Sequence, residues 1–187
     1  LTAQIHDTLL LDGQEFNIVA QAGGPLPGPL DFGMHPRELH TACWRGFYCG
    51  YALDGDGFLL LDSMTVGVCP EGWKPVNGVE PSGDEDYQKD YSGIGLRTGF
   101  TGKLQAADGF MPERYVHMGF HPSDCFVRLL ELSLQAGRVL AVEDLSREND
   151  ALRKAGREES RGDLMGWIRD RFSLDIDKKG VRRPRDD

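Results

Sequence analysis

His117 and His121 stand four apart, His35 and His40 lie close in sequence, and Cys43 and Cys49 fall on one face of a predicted strand. Zinc takes four nitrogen or sulfur ligands in a tetrahedron, so a metal site is the first chemistry to weigh. None of the short ligand spacings of zinc sites is present, and strand residues four apart lie about 13 Å apart, too far to share an ion. No metal is assigned. The same side chains offer a Cys–His nucleophile, with Cys43 or Cys49 activated by His117 and oriented by Asp124. Such a thiol needs a lowered pKa. Cys49 sits among Phe47, Tyr51 and Leu53, surroundings that raise one. Catalytic residues and cofactor stay unassigned.

Arg45 and His117 are better candidates. On the predicted strand 41–53, Arg45 shares a face with Cys43, Phe47, Cys49, Tyr51 and Leu53, where an unpaired guanidinium is costly. Two readings follow. In one, Arg45 pairs with Asp62 of the next strand and is structural. In the other, a small molecule or anion enters a pocket lined by Arg45, Tyr48, Tyr115 and His117, with aromatic walls that also suit a plain core. Weaker matches are set aside. Asp54-Gly55-Asp56-Gly57 lacks the later ligands of a calcium loop. Gly93, Gly95 and Gly99 miss the dinucleotide spacing, and Gly102-Lys103 is followed by Leu104, which rules out a phosphate loop. Arg161-Gly162-Asp163 spells an adhesion tripeptide by chance.

The elements that must position these side chains read as β. Residues 8–11 and 14–19 flank Asp12-Gly13, the residue pair a two-residue hairpin turn needs. Residues 22–36, with Pro25, Pro27 and Pro29, favour an extended loop along the body. Strand 41–53 turns through residues 54–57 into an apolar strand 58–66, and Gly46 and Gly50 inside the first mark a bulge or close approach. Residues 70–92 read as a long polar loop carrying Glu80, Asp84, Glu85, Asp86 and Asp90 around Lys89, either solvated and disordered or a lure for a basic partner. Residues 96–104 and 114–120 read as strands, and 127–135 with 138–144 as a hairpin about Ala136-Gly137. A helical pattern follows, with Ser146 as N-cap. A second helix opens at a Ser160–Asp163 capping pair and carries an apolar stripe of Leu164, Ile168 and Phe172. Residues 178–185, KKGVRRPR, form a basic tail. The expected fold is mainly β (α+β): an antiparallel sheet or partly closed barrel of consecutive hairpins over 1–145, then one or two C-terminal helices and the basic tail over 146–187.

Thr41-Ala42-Cys43-Trp44-Arg45-Gly46-Phe47 and Tyr115-Val116-His117-Met118-Gly119-Phe120 resemble a group of uncharacterised bacterial proteins with TA-x-WRGY and YVHMG-like strand motifs. The resemblance covers the first 145 residues. The chain departs from it by a long acidic insertion between the motifs and a longer helical tail. It implies a bacterial β-rich domain and assigns no activity.

The 187 residues carry 21 Lys plus Arg and 30 Asp plus Glu, a formal net charge of −9. The charge is unevenly placed. Residues 1–145 hold 9 bases and 20 acids, net −11, whereas 146–187 hold 12 bases and 10 acids, net +2. An acidic body disfavours nucleic acid and anionic membranes, and no apolar run reaches the roughly 18 residues a membrane helix needs. Four cysteines without a CxxC pair suit reduced thiols in a cytoplasmic protein. The expected function is a non-catalytic bacterial interaction or binding protein with a basic protein partner, an immunity-like or inhibitor-like protein being one version. The alternative is a small-molecule-binding domain or enzyme built on Arg45, Tyr48, Tyr115 and His117.

Overall fold

A computed structural model describes residues 2–156, 164–176 and 181, and within the second segment the side chains of 164 and 166–168 are outside the described set. Eight strands form one sheet: β1 (Thr8–Leu11), β2 (Gln14–Ala22), β3 (Phe47–Leu53), β4 (Leu59–Gly67), β5 (Gln88–Arg97), β6 (Gly102–Phe110), β7 (Phe126–Gln135) and β8 (Arg138–Asp144). Two helices follow, α1 (Ser146–Ala155) and α2 (Leu164–Phe172). The order across the sheet is β5-β4-β3-β1-β2-β6-β7-β8. All neighbours are antiparallel except β1 and β3, which run parallel, so the sheet is mixed and not wholly a chain of hairpins.

The short link 98–101 forces this sheet to curl. It joins edge strand β5 to β6, five places along the order. In a flat sheet those strands would stand about 24 Å apart, whereas the link reaches at most about 18 Å. The curl brings both ends of the sheet together around the β7–β8 turn. Leu59 donates its N–H to the Gly137 carbonyl, Thr98 donates to Leu59, and Gly137 donates to Phe100. The concave side holds the main core, with Leu9, Phe16, Ile18, Leu61, Met64, Leu104 and Leu132. The outer side of β2, β6 and β7 holds a second cluster, including Val19, Ala107, Phe126, Leu129, Leu145 and Val181, covered in part by α1.

Both predicted hairpin turns form, about Asp12-Gly13 and Ala136-Gly137, with all four residues at positive φ as the two-residue turn requires. Elsewhere several expectations are corrected. Strand 41–53 begins only at Phe47, because residues 41–46 turn through a His40–Cys43 bridge and Gly46 at φ 80°. The bulge expected from its glycines is present, between Gly50 and Tyr51. The expected strand 96–104 is two strands meeting at the 98–101 link, since its apolar residues serve both β5 and β6. Residues 114–120 are not a strand. They follow a 3-10 turn at Pro112–Arg114 and touch the sheet region through one Ala3–Gly119 bridge. The long polar loop ends at β5, and its remainder is anchored: Val76 is buried in the main core, and Ser82 and Asp90 exchange backbone hydrogen bonds. Helix α1 starts as expected, but Leu145 takes the cap position, and the Ser146 hydroxyl instead accepts the Leu129 N–H. The Ser160–Asp163 pair, the side chains of Leu164 and Ile168 and most of the basic tail lie outside the described residues.

Candidate functional site

Arg45 precedes β3 and points at Asp7, the residue before β1; the parallel pairing of those strands sets the two side by side. The guanidinium donates from both terminal nitrogens to the carboxylate, at 2.9 and 2.8 Å, and reaches the Ile5 carbonyl at 3.3 Å. Asp7 also accepts the Cys49 N–H at 2.7 Å. Asp62, the partner expected from sequence, lies instead at a bulge of β4. Burial pulls the Arg45 pKa down, but Asp7 more than offsets it and leaves the cation firmly charged. The pair is two-pronged and mostly withdrawn from water, with Asp7 only 8% exposed at its side chain.

From Arg45 a string of rings runs across the sheet end. The guanidinium lies over Phe47 and Phe120, with Phe120 5.1 Å from the His6 ring. His6 and His121 are 6.3 Å apart, His121 and Tyr115 5.0 Å, and Tyr115 and His117 5.1 Å. His6 is buried and places Nδ1 2.9 Å from the Ile18 carbonyl. A carbonyl only accepts, so Nδ1 carries a proton. A second buried ion pair, Arg114 to Asp124 at 3.0 Å, flanks His121 in the chain. Tyr115 and His117 face solvent, and hydrogen bonds from Thr2 and from the Ala3 N–H hold the Tyr115 phenol below its ordinary pKa.

Arg45, Tyr115 and His117 therefore belong to one string, at its two ends, while Tyr48 stands on the opposite face of β3 from Phe47 and Cys49. None of the four lines the cavity of about 450 Å³ between residues 21–24 and 173–176. His6 and Asp7, central here, were missed from sequence. Asp7 is 38 residues from Arg45, and only the parallel β1–β3 pairing, which has no local signature, brings them together.

All four cysteines are buried. Burial, then the Asp7 carboxylate, push the Cys49 thiol well up, and burial raises Cys43 and Cys69. Cys43, Cys49 and Cys69 are thus held as thiols, poor nucleophiles at neutral pH. Among the described residues no three His, Cys, Asp or Glu side chains gather as a metal ion would require, and no helix is long and apolar enough to cross a membrane.

The charge at the surface is different in kind. Glu80, Asp84, Glu85 and Asp86 are exposed on the anchored loop, beside the exposed Tyr87. Among the described residues none of these four carboxylates makes an ion pair. Lys89 turns inward, donating to the Gly83 carbonyl and lying over the Trp73 ring. No family model, curated protein or solved structure matches the chain.

Proposed function

We propose that the chain is a non-catalytic binding protein whose acidic body takes up a basic protein partner, in the manner of an immunity or inhibitor protein. The anchored acidic loop carries this reading. A disordered acidic insertion would be solvated charge and nothing more. Here Val76 and the Ser82–Asp90 pairing fix the base of the loop that carries Glu80, Asp84, Glu85, Asp86 and Tyr87 exposed, four carboxylates that make no ion pair among the described residues. Fixed charge of one sign steers an oppositely charged partner, and an aromatic beside it supplies contact area at small entropic cost. The side chains fit for chemistry add to the case from the other side: Arg45 and Asp7, and Arg114 and Asp124, are spent on each other in buried pairs.

The test is capture from an extract of the source cells by the chain and by a variant with Glu80→Gln, Asp84→Asn, Glu85→Gln and Asp86→Asn. All four positions are exposed, so the variant keeps the fold. A basic protein retained in stoichiometric amount by the wild type and lost by the variant is expected. Equal retention by both would remove the loop from the account.

A small-molecule site at the solvent end of the ring string is the second reading, favoured by the exposed Phe110, Tyr115 and His117 rings beside His121. A thermal-shift screen of small anions and aromatics would favour it if a compound moves the wild type and not His117→Ala.

A further inference from the structure

We infer that the solvent end of the ring string, a corner walled by Phe110, Tyr115 and His117, binds a small organic cation of the quaternary-ammonium class. The inference rests on the small-molecule reading of that end and names the ligand chemistry its rings select.

The corner follows from ring geometry. Phe110 ends β6, and Tyr115 and His117 follow the 3-10 turn at Pro112–Arg114. Phe110 and Tyr115 stand at 86° with centroids 6.5 Å apart, and Tyr115 and His117 at 69° and 5.1 Å. Two neighbouring rings near a right angle enclose a corner whose walls are ring faces, and Tyr115 is common to both pairs. The more buried His121 packs against Phe110 at 4.8 Å and Tyr115 at 5.0 Å and holds them in place. Phe110 and Tyr115 are each 40% exposed and His117 is exposed too, so the walls face solvent.

A ring face carries negative charge density and attracts a cation seated on it. The chain already uses its other rings in this way. Arg45 lies over Phe47 at 4.9 Å and over Phe120 at 5.5 Å, Lys89 over Trp73 at 5.5 Å and Arg97 over Phe58 at 4.2 Å. The inner end of the string is therefore a two-ring seat filled by the chain's own guanidinium. Among the described residues no cation lies over Phe110, Tyr115 or His117. The outer rings repeat the inner seat without an internal cation to fill it.

The class of cation follows from what the walls offer. The Tyr115 hydroxyl is engaged, accepting the Ala3 N–H at 3.2 Å and pairing with the Thr2 hydroxyl at 3.0 Å. Ring faces are weak acceptors, so an ammonium or guanidinium that sheds water there loses hydrogen bonds. A quaternary ammonium has no N–H to satisfy and loses least. Glu113, exposed on the adjoining turn and without an ion pair among the described residues, favours a cation and repels an anion.

The test is a titration of the full chain, followed by NMR on the ring protons of Phe110, Tyr115 and His117. The probes are choline and its uncharged isostere, in which a tert-butyl group replaces the trimethylammonium. Choline should shift these protons and bind about tenfold more tightly than the isostere, as a cation held by more than one ring requires. Phe110→Leu keeps apolar bulk, removes one wall and should weaken choline by about threefold. Phosphatidylcholine vesicles present the same cation on a surface; the chain should not sediment with them, and co-sedimentation would overturn a free small molecule as its source. Equal binding of choline and isostere, no shift with choline, or choline binding undiminished in Phe110→Leu would overturn the inference. The comparison of the two probes on the wild type decides if the variant does not fold. Failure here is distinct from failure of the small-molecule reading. Equal binding of both probes at these rings, or a screened compound that moves the wild type and not His117→Ala, keeps a small-molecule site of other chemistry.

Discussion

Arg45 shows how a side chain marked by the sequence as chemically costly is resolved. The carboxylate of Asp7 takes both of its terminal nitrogens and the Cys49 N–H together, so the cation is part of the joint between β1 and β3. Arg45→Ala should cost about 3 kcal/mol in urea unfolding, because it strands a buried carboxylate. His117→Ala, at an exposed ring, should change stability by less than about 0.5 kcal/mol. A small effect at Arg45 would reopen it as a ligand-binding group. The thiols give a second residue-scale test. With Cys43, Cys49 and Cys69 pKa values raised, less thiolate exists at pH 8 than in free cysteine. A disulfide reagent should label none of the four cysteines quickly in the native chain and all four in guanidinium. Rapid native labelling of Cys49 would mark an activated nucleophile and contradict the non-catalytic reading.

At the scale of elements, the two hairpin turns were legible because Asp12-Gly13 and Ala136-Gly137 sit between runs of strand-forming residues. Their strand limits were nearly right for the same reason. What local pattern could not supply was the pairing between distant segments. The parallel β1–β3 contact, the 98–101 link inside an apolar run and the loop character of 114–120 all depend on the curl of the whole sheet. Tyr115 and His117 alternate with buried Val116 as strand residues would, yet the segment crosses the sheet end without pairing along it. The two glycines of similar φ separate turn strain from close approach. Gly13→Ala, in open space, should cost about 1 kcal/mol for the left-handed backbone alone. Gly137→Ala adds a Cβ against the Thr98 carbonyl, where the ends of the curled sheet meet, and should cost about 3 kcal/mol or more. Equal costs in thermal unfolding would mean that this closure does not hold the curl.

At the scale of the molecule, the division of charge read from the sequence acquires a structural sense. The acidic loop, expected either as a disordered insertion or as a lure, is tied to the main core through Val76. Val181, the one described residue of the basic stretch, exchanges two hydrogen bonds with the Gln105 amide. That pairing, made by one glutamine on an outer strand face, carries no sequence signature. We propose that this chain holds a basic protein through fixed surface charge. Capture from an extract of the source cells at two salt concentrations tests it most directly. At about 50 mM salt one basic protein should be retained in stoichiometric amount, and at about 500 mM it should be released, because contacts between exposed charges are screened there. No stoichiometric partner at low salt, or a partner equally retained at high salt, would contradict the account.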